Sequence, residues 1–196
     1  MKGKVISGVT PQAKMVAVNN RFGNTNIKNQ QGTTRVLYDS IALNGNTELR
    51  FFENAGLKQY PFTNIGSDGN RLSVGETFTI QKIYFAKATF DPDTGAITNF
   101  QASLPGTLSI GEFSFFIANN QVIKQLPLGL FYNTGLNPTA QNNSDVALST
   151  FTDIVIPPLL EFVAPVRLSN PLNAANEYLF CFIEGTAGIL APQTTF

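Results

Sequence analysis

The chain has 196 residues, 43% of them hydrophobic and 13% charged, with 13 Lys/Arg balanced by 13 Asp/Glu. It has no His, no Trp and one Cys, which excludes Ser-His-Asp and Cys-His mechanisms, the common zinc and copper sites, and Cys-rich metal or iron–sulfur ligation. What remains is a polar surface of Asn, Gln, Thr and Ser over an interior supplied by 17 Phe, which far outnumber the 5 Tyr and point to dry packing inside the fold.

Residues 1–36 read as an extended N-terminal arm. The stretches 19–26 and 29–34 are polar, turn-rich and without helical periodicity. Met1–Ile6 starts basic but no continuous apolar stretch follows it, so no signal peptide is expected. Lys2, Lys4, Lys14, Arg21, Lys28 and Arg35 all precede the first acid, Asp39. Residues 1–87 hold 11 Lys/Arg against 5 Asp/Glu, a balance of +6, and residues 88–196 hold 2 against 8, a balance of −6. The six arm cations are therefore the candidates for contact with nucleic-acid phosphates or anionic lipid headgroups. Their wide spacing, with only Phe22 interleaved as a stacking residue, fits ordinary solvated charge better.

From residue 37 to 196 short strand-like runs alternate with turn signals. Leu37–Leu43 and Thr47–Glu53 flank Asn44-Gly45-Asn46, which predicts a hairpin. Glu76–Ala86 alternates with Phe78 and Ile80 on one face, then changes phase at Gln81-Lys82 so that Ile83 and Phe85 take over, as a β-bulge would produce. Asp91–Gly95 is a turn. Glu112–Ala118 and Gln121–Leu126 around Asn119-Asn120 predict a second tight hairpin. A long polar connection, 133–149, leads to runs at 151–156, 159–168 and 178–184. Pro157, Pro158, Pro165 and Pro171 place these runs at edges, ends or bulges. Cys181, in the apolar run Tyr178–Ile183, reads as a core residue without a disulfide partner. No stretch approaches the roughly 18 apolar residues of a membrane span. No run keeps the i, i+3, i+4, i+7 spacing of a helix. The expected fold is all-β: a single jelly roll or β-sandwich of about eight antiparallel strands behind the arm.

The remaining motifs for chemistry are weak. Asp93-Thr94-Gly95 matches the aspartic-protease tripeptide, but the preceding Asp91-Pro92 makes it a hairpin turn. Asp91, Asp93 and Gly95 also begin like a calcium loop. The twelfth position is Ala102 rather than Glu, so an EF-hand is rejected and only an irregular site near Asp91 and Asp93 is left open. Carboxylate pairs for glycoside hydrolysis arise by chance among 13 acids and carry no weight alone.

The polar arm, Thr47–Glu53, Asn70–Ile83, Ile156–Val163 and the closing strand with its Gly/Pro tail, 185–196, together resemble a single jelly-roll virion protein of an icosahedral bacteriophage. The likeness covers residues 36–190 and is one of style and strand order. It implies a structural protein that self-assembles into, or decorates, an icosahedral capsid through loop and arm contacts. No enzyme activity, cofactor, metal or small-molecule substrate is implied. Its partners would be copies of itself and other virion proteins, with the genome or an internal membrane reached through the arm. Its place would be the virion, after synthesis in the host cytoplasm. The alternative is a jelly-roll receptor- or glycan-binding module of a virion fibre or a surface lectin. A carboxylate-dependent hydrolase is a distant third. Removing residues 1–35 is expected to spare the barrel and impair assembly.

Overall fold

Period-two alternation of large apolar residues with short polar ones builds strands almost throughout. The computed structural model describes residues 30–66, 69–101, 110–131 and 148–190, together with Ala13 and Leu108. Among them are nine strands: β1 (Gln30–Asn44), β2 (Glu48–Phe51), β3 (Thr77–Phe90), β4 (Ile97–Gln101), β5 (Glu112–Ile117), β6 (Asn120–Pro127), β7 (Leu148–Ile156), β8 (Phe162–Arg167) and β9 (Asn173–Leu190). They form two antiparallel sheets. Sheet A runs β1-β9-β3-β4, with β7 also on β3, and sheet B runs β2-β8-β5-β6. No helix among the described residues is long and apolar enough to cross a membrane.

With β4 set aside, the other eight strands nest from the outside inwards. β1 pairs with β9, β2 with β8, β3 with β7 and β5 with β6, while β9·β3 and β8·β5 close the two sheets. An antiparallel ribbon rolled up on itself has this pairing, which is a jelly roll. The all-β jelly-roll expectation is met.

The chain departs from the sequence reading at three places. First, β1 begins at Gln30, so residues 30–36, assigned above to the arm, form the first half of a strand paired with β9 from Gln30↔Leu190 onward. Secondly, Asn44-Gly45-Asn46 does not close a hairpin: β1 lies in sheet A and β2 in sheet B. Gly45 supplies the left-handed backbone (φ 88°) of a corner, and its N–H donates to Leu172 C=O (2.8 Å), while Leu168 N–H donates to Thr47 C=O (2.7 Å). The β1–β2 and β8–β9 crossovers thus turn together as one ribbon, and pairing with distant β9 and β8 outcompetes local pairing. Thirdly, Pro165 sits in β8, an interior strand between β2 and β5. It opposes Arg50 in β2, and pairing to β5 lapses between Phe113↔Val166 and Phe116↔Val163, so the missing N–H falls in a gap in the ladder.

The other turn and bulge readings hold. β3 shifts register between Ile80 and Lys82 against both β7 and β9, a bulge at Gln81. Asp91–Gly95 closes β3 onto β4 with Gly95 at φ 69°. β5 and β6 form the second hairpin, its turn one residue earlier than expected, on Ala118 (φ 50°) and Asn119.

Between the sheets Phe85 is the hub. It meets Phe51, Phe113 and Phe131 edge-on at 5.9, 5.6 and 5.1 Å, and all four rings are fully buried. Truncating such a ring to Ala costs about 3–5 kcal/mol. The free edge of β1 is covered around Val36–Asp39 by the segment before β3. The Asn64 side chain imitates a strand residue there, accepting from Tyr38 N–H (2.8 Å) and donating to Val36 C=O (2.5 Å). Over those residues the edge cannot template pairing with another chain.

Candidate functional site

Lys2, Lys4, Lys14, Arg21 and Lys28 lie outside the described residues. Arg35 lies in β1 and is ion-paired with Glu76; burial lowers its pKa. The Asp91 carboxylate is used within its own turn. It accepts from the Asp93 N–H (2.9 Å) and the Thr94 hydroxyl (2.7 Å), and the Thr94 bond lowers its pKa. No group of three or more acids or cysteines among the described residues is placed to hold a metal.

The sequence reading missed the outward surface of sheet A. In β9, Leu179, Cys181 and Ile183 point to the core, so the alternate residues Tyr178, Phe180 and Phe182 point outward. β1 contributes Tyr38 and β3 contributes Tyr84, register partners of Phe182 on either side. Tyr84 stacks on Phe182 at 4.9 Å with 8° between the ring planes, and Tyr38 lies 5.6 Å from Phe182. Ala86 and Ala88, buried beneath these rings, leave room for Phe100 of β4 to reach across β3. Its ring lies 5.7 Å from Phe180 and 5.8 Å from Phe182. Further along the face, Phe62 and Phe90 close on Tyr178 at 5.0 and 6.0 Å. Eight rings therefore line the outer face of one sheet: Phe100 is 52% exposed, Phe180 is covered by its neighbours at 2%, and the other six are partly exposed. Burial raises the phenol pKa of Tyr38 and of Tyr84, with Glu184 adding to the effect at Tyr84.

The only cue in the sequence was that Tyr178–Ile183 is apolar in both phases of the alternation. A strand of a sandwich has one face to the core, so the second apolar phase has to lie outside.

The outer face of sheet B has the opposite character. Glu48 and Arg50 of β2, Glu112 of β5 and Arg167 of β8 project from it around a pocket of about 240 Å³. Arg50 is held by Glu48 (3.0 Å) and Glu53 (2.8 Å). A second, more apolar cleft of about 500 Å³ lies where the β1 and β2 edges part, with Ile41, Phe62 and Tyr178 as its apolar wall and Lys58 and Asn54 beside them. One face is thus suited to apolar contact and the other to hydrogen bonding. No family model, curated protein or solved structure matches this chain.

Proposed function

We propose that this chain is a structural virion protein that self-assembles into, or decorates, an icosahedral capsid through loop and arm contacts. The observation that carries this reading is the aromatic outer face of sheet A on a jelly-roll body. Phe100 and the partly exposed rings around it form an outward apolar patch, and such a patch on a folded domain marks an interaction site. Aromatic rings are also the side chains that contribute most at protein interfaces. A second copy is the occupant this surface suits, because the charges beside the aromatic patch, Lys82 and Glu184, are opposite register partners and the chain has no net charge to push copies apart. Many such contacts, each modest, add up in a closed symmetric shell.

The test is electron microscopy and light scattering of the full-length protein, alone and with other virion proteins, beside Phe100→Glu. Phe100 is half exposed, so the charge is tolerated in the fold but not against a neighbour. The reading requires ordered particles or particle binding by the wild type and their loss in Phe100→Glu at unchanged thermal midpoint. A wild type that stays monomeric and binds no particle overturns it.

A further inference from the structure

We propose that the outer face of sheet B carries a binding pocket for a neutral, polyhydroxylated ligand of monosaccharide size. The pocket exists because the sheet is dented there. Pro165 and Ser114, both buried, form a low floor where pairing between β5 and β8 lapses, and β5 shifts register against β6 on the other side. Long side chains stand around that floor, and the volume of about 240 Å³ falls below the roughly 300–1,000 Å³ of drug-sized sites.

The chemistry of the wall selects the ligand class. In the wall itself Glu48 and Glu112 balance Arg50 and Arg167, and the one further acid, Glu53, is held against Arg50 outside the wall, so the lining carries no net charge for an ionic guest. Carboxylate, guanidinium and amide are planar groups with two or more donors or acceptors, which match adjacent hydroxyls bidentately. Two of them are pre-set. Glu48 and Glu53 hold Arg50, and the Ser114 hydroxyl accepts from the Gln121 amide (3.1 Å), which leaves the Gln121 carbonyl oxygen for a ligand. Arg167 stands in register between Glu48 and Glu112, yet pairs with neither among the described residues. Its donors and the Glu112 acceptors are therefore open to a guest. Phe116 adds an apolar wall for the C–H face of a sugar ring.

The experiment is isothermal titration calorimetry of the full-length protein with the methyl glycosides of glucose, galactose, mannose and N-acetylglucosamine. N-acetylneuraminic acid and glucosamine serve as charged comparisons. At least one neutral glycoside should saturate a single site. Arg167→Ala and Gln121→Ala should each weaken it at least tenfold without moving the thermal midpoint, and Thr98→Ala on sheet A should leave it unchanged. The proposal is overturned if no neutral glycoside binds, if a charged sugar binds as tightly or more tightly, or if both pocket variants bind as well as the wild type.

Discussion

The backbone N–H of Phe52 donates a 2.7 Å hydrogen bond to the carboxylate of Asp39, an acid with no exposed surface that lies between the two sheets. Phe52 follows β2 in a left-handed conformation (φ 70°), which a Phe adopts only where its surroundings hold it there. The Lys58 ammonium closes on both carboxylate oxygens (2.8 and 2.9 Å) and continues to Ser40 C=O (2.7 Å). One acid thus ties β1 of sheet A to the end of β2 in sheet B. Asp39→Ala strands the Phe52 N–H and the Lys58 charge. Losing one partner of a buried pair costs about 3–5 kcal/mol, and the partial exposure of Lys58 lowers the expected loss to about 2–3 kcal/mol. Asp39→Asn keeps an acceptor for Phe52 but also removes the counter-charge of Lys58, so it should cost less than Asp39→Ala, about 1–2 kcal/mol. Urea midpoints of the two variants check the order.

Burial raises the pKa of Asp39, and the Lys58 charge and the hydrogen bonds from Lys58 and Phe52 only partly offset it. The folded protein therefore binds this proton more tightly than the unfolded chain does. The stability it contributes is complete below the ordinary Asp range and is lost as pH rises through the raised folded value. Subtracting the Asp39→Asn stability–pH profile from that of the wild type should leave a step that falls with rising pH, just alkaline of normal Asp titration. A rising step would show that the ion pair with Lys58 dominates over burial.

Two glycines of the same ribbon should respond oppositely to Ala. A Cβ on Gly185 would lie 1.9 Å from Thr79 O and 2.9 Å from Thr79 C, backbone atoms with no rotamer to yield. Gly185 pairs with Ile80 next to the Gln81 bulge, where β3 crowds against β9. Gly185→Ala should cost about 3 kcal/mol or more, at the upper end of overpacking effects. Gly32 has nothing within 4 Å of such a Cβ, and Gly32→Ala should be neutral or stabilising by up to about 1 kcal/mol. Equal thermal midpoints for the two variants would contradict this account of the bulge.

The bulge itself was legible, because an inward face that jumps from Phe78 and Ile80 to Ile83 and Phe85 admits no other regular explanation. Jelly-roll architecture was legible only as a count of short strands and turns. Its nesting depends on partners such as Leu37 and Ile183, which no local pattern connects. Local signals misled where tertiary pairing overrode them: Gly45 turns a ribbon corner instead of a hairpin, and Pro165 is absorbed inside a sheet. Asp39 gave no sign of burial, since between Tyr38 and Ser40 it looks like any polar residue in a half-exposed strand. The aromatic face was hidden because a count of Phe cannot say which side of a sheet each ring takes.

Cys181 offers a reporter of global unfolding. Its thiol is fully buried on the inner face of β9, and desolvation, with Asp39 adding to it, raises its pKa well above that of a free thiol. The native protein should resist a disulfide reagent such as Ellman's at neutral pH. Modification in increasing urea should follow the loss of β-sheet circular dichroism, because the thiolate forms only when the core opens. Rapid labelling in buffer would mean that β9 opens locally.

Two truncations separate the arm from the barrel. The described pairing of β1 begins at Gln30, so a chain lacking residues 1–29 keeps every β1·β9 register position. One lacking residues 1–35 loses the six positions from Gln30↔Leu190 to Arg35↔Gly185, and with them the Arg35–Glu76 ion pair. With a net hydrogen bond worth roughly 1 kcal/mol and half-exposed edge residues contributing less, the shorter chain should be about 2 kcal/mol less stable in urea than the longer one. Glu76, whose side chain is only 12% exposed, then lacks a counter-charge, so Glu76→Gln should recover part of the loss in the shorter chain and destabilise the longer one. If the 1–29 truncation folds normally but no longer assembles, the arm acts in contacts between copies. If both truncations are equally stable, the first half of β1 contributes nothing to the barrel.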